Sequence, residues 1–139
     1  MKNICRAHLP ALLALLLVPV AVVALIPPLS EQELNKQSDV IIDGVVSAVE
    51  KVDKVFYDNC YGWQKHRAFV LVEKTVKGTG LPTAIRVEYD TRVINDKNCV
   101  GGRDSYTLAK GKRYRMHLKA VKDRPNHYSF FHWMCLKER

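Results

Sequence analysis

The sequence predicts an all-β domain: five antiparallel strands in a small, tightly curved barrel, preceded by a short helical turn. Three observations predict it. Val, Ile and aromatic residues alternate with polar ones at period two in successive short runs, which is the strand signal. The longest β-branched run, Ser38–Glu50, carries Gly44 at its middle, where a missing side chain marks a bend or bulge. Little of the rest carries a helical pattern, and a long strand bent at a glycine is what a small barrel requires.

The chain has 139 residues and opens on a leader pattern. Lys2 and Arg6 precede an apolar run from Leu9 to Ile26, no acid appears before Glu31, and Val22 and Ala24 are small residues suited to cleavage after Ala24. Met1–Ala24 therefore reads as a secretory signal peptide, and the protein as secreted or periplasmic. The rival reading is an uncleaved anchor, because about 18 apolar residues just span a bilayer; only then is a membrane a partner. Cys5 precedes the apolar core, so it is not the lipidated cysteine that follows a lipoprotein leader. Removing the leader lowers the formal charge from +8 to +6, since Lys2 and Arg6 leave without an acid. A basic exported chain favours anionic partners such as polysaccharide, and export itself argues against nucleic acid.

The segment 25–37 is a linker with a short helix. Ile26-Pro27-Pro28-Leu29 is stiff, and Ser30 with Glu33 makes a capping-box pattern ahead of Leu34, in a turn placed to plug one end of the barrel. The domain proper is 38–139. In the first strand Val40, Ile42, Val46 and Ala48 share one face; Ile41, Asp43, Val45, Ser47, Val49 and Lys51 share the other. Val52–Trp63 is a loop or irregular extension, with Asp58-Asn59 and Gly62 as turn signals. His66–Val76 is the second strand, apolar on both faces at first and so central. After a Gly78–Pro82 turn, Ala84–Asp90 is the third, with Ile85, Val87 and Tyr89 inward and Arg86, Glu88 and Asp90 outward. A long connection, Thr91–Ala109, holds Cys99, Gly101 and Gly102; loops of that length are usually functional or cross-linked. Lys112–Lys122 is the fourth strand, Asp123–Asn126 a hairpin turn, and His127–Met134 an aromatic fifth strand ending at Cys135. Five unequal strands with a bent first one fit the OB-type barrel; an open β-sandwich is the competitor.

Four segments in order also resemble a known family. They are Asp39–Val49, Phe69–Gly78, Ile85-Arg86-Val87, and Cys99-Val100-Gly101 followed by Leu108–Tyr114. Together they resemble the tissue inhibitor of metalloproteinases and netrin-module family, in particular its small bacterial exported members, over roughly Asp39 to Cys135. The resemblance implies an OB-type barrel. It also implies that the sites of Cys99 and Cys135 lie close at one barrel end, which makes Cys99–Cys135 the preferred disulfide and Cys60–Cys99 the second choice. The inhibitors of that family chelate the protease zinc through an N-terminal cysteine. This sequence has none between Ala24 and Cys60, so that mechanism is not available to it.

Three cysteines follow the leader, Cys60, Cys99 and Cys135, so one thiol is left over or pairs between chains. No Cys-x-x-Cys, HExxH, nucleophile elbow or phosphate loop is present, and the residues point to no catalytic group, metal or cofactor. Asp39, Asp43 and Glu50 read as edge or solvent-facing charges. The main surface feature is a basic row, Arg113, Arg115, His117 and Lys119, on one face of the fourth strand at about 7 Å spacing. Such a row suits an anionic polymer. The sequence therefore supports a non-enzymatic exported domain that binds a protein or cell-envelope partner through the loop end at Cys99, Gly101 and Gly102. The alternatives are a polyanion binder using the basic row, and a protease inhibitor that works by loop insertion.

Overall fold

The computed structural model describes residues 26–58, 60–95 and 105–139. The leader, Cys99, Gly101 and Gly102 lie outside them. The described chain is mostly β-sheet, with a helix α1 (Glu31–Gln37) and strands β1 (Val40–Lys51), β2 (Phe56–Tyr57), β3 (Tyr61–Lys77), β4 (Ala84–Asn95), β5 (Arg113–Ala120), β6 (His127–Ser129) and β7 (Leu136–Glu138). A 3₁₀ turn, Trp133–Cys135, separates the last two.

The pairing runs β1–β3–β4–β6–β5, and β1 pairs with β5 as well, so these five strands return on themselves. Every pairing is antiparallel except β4 with β6, which is parallel. There are seven strands, not the five expected. β2 prolongs the β1 side of the β1–β3 hairpin through the stretch expected as a loop or irregular extension, and β7 pairs along β5. The expected fifth strand, His127–Met134, stops at Ser129 because Phe130 packs on Tyr106, with ring centroids 4.5 Å apart. His132 then caps the 3₁₀ turn: its Nδ1 accepts from the Met134 N–H at 3.3 Å and its Nε2 donates to the Pro27 carbonyl at 3.1 Å.

The interior is filled by alternate residues of the five main strands: Val40, Ile42 and Val46; Ala68 and Val70; Ile85, Val87 and Tyr89; Tyr114, Met116 and Leu118; and Tyr128. The inward sets expected for the third and fourth strands are present, save that Ala120 is exposed. In β1 the register shifts between Val46 and Ala48. A bulge there reverses the side-chain phase. Val49 therefore packs against the core and Ala48 is exposed, contrary to simple alternation. Ser47 at the bulge donates its hydroxyl to the Phe69 carbonyl at 3.0 Å. Gly44 sits where β1 meets β3 and β5 together: a Cβ there would lie 2.7 Å from Val70 Cγ1 and 2.8 Å from the Leu71 carbonyl oxygen.

The helix forms as its capping box directs. Glu33 N–H donates to Ser30 Oγ at 3.2 Å, and Ser30 N–H donates to the Glu33 carboxylate at 2.9 Å. It does not plug the interior. Leu34 is buried but is not part of the interior cluster, and α1 reaches the outer side of β5, where Ser38 meets His117.

Candidate functional site

The basic row stands on the outer face of β5, and acids on neighbouring strands meet its members. β1 lies beside β5 with Asp43 opposite Arg115. Arg115 grips Asp43 with two hydrogen bonds of 2.7 Å, and Arg139 Nε lies 3.6 Å from the same carboxylate. The Arg115 hydrogen bonds hold the Asp43 carboxyl below its ordinary range, against a smaller opposing effect of burial. Arg113 pairs with Glu73 at 3.2 Å, and Lys119 approaches Asp39 at 3.5 Å. His117 is 8% exposed and bonded to Ser38, so it is not a surface cation. Burial first, and then Arg115, lower its pKa. A row whose charges are answered by Glu73, Asp43 and Asp39 presents a polymer with far less field than the bare sequence implies. Asp39, Asp43 and Glu50 are thus cross-strand ion-pair partners, the last of Arg67 at 3.0 Å.

A second constellation sits at the far end of the β1–β3 hairpin. Asp58 organises the turn: its Oδ1 accepts from the Cys60 and Tyr61 N–H groups at 2.8 and 2.7 Å, and its Oδ2 accepts from Trp63 Nε1 at 2.7 Å. Trp63 is fully buried, Tyr61 packs edge-on against it at 5.9 Å, and the Arg92 guanidinium lies 4.1 Å from the Tyr61 ring centroid. On this fixed frame three apolar side chains remain exposed: Val55 (36%), Tyr57 (67%) and Val93 (48%). Register places Tyr57 and Val93 at one end, because Tyr57 faces Gly62, Gly62 faces Ile94, and Val93 is the residue skipped beside that row; Val55 immediately precedes β2. The connection bearing Cys99, Gly101 and Gly102 leaves β4 from the same end, after Asn95. In the sequence Asp58 is a turn signal only; its hydrogen bond to a tryptophan five residues on is not a sequence pattern.

Cys60 is disulfide-bonded. Cys135, by contrast, is a fully buried thiol in the 3₁₀ turn. The preferred Cys99–Cys135 bridge is therefore corrected: the turn into β7 directs Cys135 inward.

A cavity of about 370 Å³ lies between β3, β4 and β6, lined by Lys65, Glu88, Tyr89, Asp90, Phe130 and Phe131 among others. Burial pushes the Tyr89 hydroxyl up to about 12 and, with help from Lys51, lowers the pKa of His66, which stacks on Tyr89 at 5.3 Å. Burial raises the pKa of Glu88, but hydrogen bonds from Arg124 and Arg67 outweigh it and hold the carboxylate ionised. Among the described residues no group of three or more His, Cys, Asp or Glu side chains converges as a metal centre. No helix among them is long and apolar enough to cross a membrane.

No family model matches the chain, and no curated protein or solved structure matches it.

Proposed function

We propose that the protein is an exported, non-enzymatic binding domain on an OB-type barrel, and that its partner is a protein docking at the β2–β3–β4 end. The returning strand order, with its single parallel β4–β6 pairing, supports the barrel reading; β2 and β7 are additions to five barrel strands. The same order agrees with the fold implied by the resemblance to the metalloproteinase-inhibitor and netrin-module family. Export rests on the leader.

One observation carries the docking site: Val55 and Tyr57, beside the turn that Asp58 holds by three hydrogen bonds, and Val93 of the adjoining β4 are exposed at the same end of the sheet. Clustered exposed apolar side chains mark interaction surfaces, and an aromatic anchor on a pre-ordered frame loses little entropy on binding. The basic row supports a polyanion less well, since its charges are largely answered within the sheet.

The test is affinity capture from the native envelope fraction with wild-type bait, a Tyr57→Asp/Val93→Asp bait, and a Leu71→Asp bait that alters an equally exposed apolar residue elsewhere (49%). The expected partner is retained by wild type and Leu71→Asp and lost with the tip variant. Identical retention by all three baits would remove the tip as the docking site.

A further inference from the structure

The outer face of β5 carries a second site, formed only because β7 pairs beside it. Register sets Asp43, Arg115 and Lys137 in one row across β1, β5 and β7. His117 stands two residues from Arg115 on one side of this row; Arg139 stands on the other side, level with Arg113, to whose carbonyl its N–H donates at 3.0 Å. Between this face, α1 and the 3₁₀ turn lies a cavity of about 270 Å³, lined by Glu31, Leu34, Arg115, His117, Lys137 and Arg139, with Met134. Among the described residues that line it, Glu31 is the one acid, and the neighbouring Asp43 carboxylate is already engaged by Arg115.

The hydrogen bonds fix the His117 tautomer. Ser38 Oγ lies 2.6 Å from the Leu34 carbonyl, which only accepts, so the hydroxyl hydrogen points there. Ser38 Oγ is also 3.2 Å from His117 Nδ1, and with its hydrogen committed it must accept. Nδ1 therefore carries the ring proton, and Nε2 of the neutral ring is an acceptor. Burial and Arg115 favour that neutral form. A fully deprotonated oxyanion meets repulsion from the Nε2 lone pair, whereas an oxyanion that keeps one O–H donates to it.

We propose that this cavity binds the hydrogen phosphate ion, with Lys137, Arg139 and Arg115 toward its charged oxygens and His117 Nε2 accepting from its P–OH. The site is separate from the β2–β3–β4 end and goes beyond the protein-docking reading. Two anions of similar size lack the O–H near neutral pH: sulfate, and methyl phosphate, whose second ionisation lies near pH 6 as for other phosphate monoesters.

The experiment is calorimetric titration of the exported chain with inorganic phosphate, sulfate and methyl phosphate at about pH 7.5 and matched ionic strength, with the His117 ring nitrogens followed by NMR. Phosphate is expected to saturate at least about tenfold more tightly than either control, since the controls leave the Nε2 acceptor without a donor. The His117 Nε2 resonance is expected to move with phosphate and not with sulfate. Lys137 is exposed, so Lys137→Gln leaves the fold intact and is expected to weaken phosphate binding severalfold. Equal affinity for phosphate and sulfate, no saturation by millimolar phosphate, or binding unchanged in Lys137→Gln would each overturn the proposal.

Discussion

Replacing Gly44 with alanine is expected to destabilise the protein by about 3 kcal/mol. The added methyl would lie 2.7 Å from Val70 Cγ1 and 2.8 Å from the Leu71 carbonyl oxygen. Both are far inside van der Waals contact. Val70 is fully buried and has nowhere to swing, and the Leu71 oxygen belongs to the backbone of β3. Overpacking a filled core costs about 1–3 kcal/mol. Gly44 is also the point where β1 pairs simultaneously with Val72 of β3 and Tyr114 of β5, so a shift of β1 disturbs two pairings and the cost falls at the upper end.

The assay is urea unfolding of wild type, Gly44→Ala, Val70→Ala and the double variant. For a domain of this size about 3 kcal/mol lowers Tm by roughly 10 °C or more. Val70→Ala removes the first clash but not the second, so the double variant is expected to be less destabilised than the sum of the singles, by about 1 kcal/mol. Gly80→Ala is the control: its Cβ meets nothing within 4 Å, and its φ of +67° costs only the left-handed backbone strain, about 1–2 kcal/mol. A Gly44→Ala protein within about 0.5 kcal/mol of wild type would refute the close-approach argument, because surface-like tolerance is incompatible with those distances.

Asp43→Asn should cost about 1–2 kcal/mol by urea unfolding, since it breaks a bidentate, partly buried Arg115 pair that solvent screens only in part. Because the folded Asp43 pKa lies below its ordinary 3.8, its contribution is present above that value and is lost as pH falls through the folded pKa; Asp43→Asn should flatten the acid limb of a stability–pH curve there. His117 and His66 act at higher pH. Their folded pKa values lie below the ordinary 6.5, so stability is complete above about 6.5 and declines as pH falls through the interval down to the folded values, and His117→Asn should remove part of that decline. For the cysteines that follow Ala24, alkylation under native conditions should modify none of them. Unfolding without reductant should expose one thiol, at Cys135, and peptide mapping should find Cys60 bridged to Cys99. Asp58→Ala should cost about 1–2 kcal/mol and change Trp63 fluorescence, because the indole N–H loses Oδ2 and two backbone N–H groups lose Oδ1 of the carboxylate.

Much of the β architecture was legible because it rests on local rules. Period-two alternation located β4 and β5 and their inward faces, the Ser30–Glu33 box located α1, and Gly44 marked the bend. What alternation cannot encode is a change of phase. The bulge at Ser47 exchanges Ala48 for Val49 in the core, and nothing in Val-Ser-Ala-Val announces it. The fifth strand failed for a related reason. Aromatic residues from His127 to Met134 satisfy strand propensity, yet Phe130 packs on Tyr106 instead of continuing the ladder, and His132 is drawn into a cap that also binds Pro27. Once that strand breaks, Leu136–Glu138 is free to pair with β5.

The candidate sites depended on that last step. Read along one strand, Arg113, Arg115, His117 and Lys119 are four cations in a line. Placed beside β1, the odd-numbered acids of Asp39–Asp43 lie opposite them, because antiparallel register pairs Asp43 with Arg115 and Ile41 with His117. Like charges on adjacent strands would repel, so a sheet that carries four basic positions on one face is stable only if neighbouring strands answer them. The row is therefore a structural seam first. Its binding capacity lies where the answer is incomplete, at Lys137 and Arg139 on the strand that alternation did not reveal, over a histidine whose outward nitrogen the Ser38 hydroxyl has left as an acceptor. Specificity then comes from that single uncharged acceptor rather than from the number of cations around it. For this reason the discriminating comparison sets hydrogen phosphate against an equally charged anion without a proton, and not high salt against low.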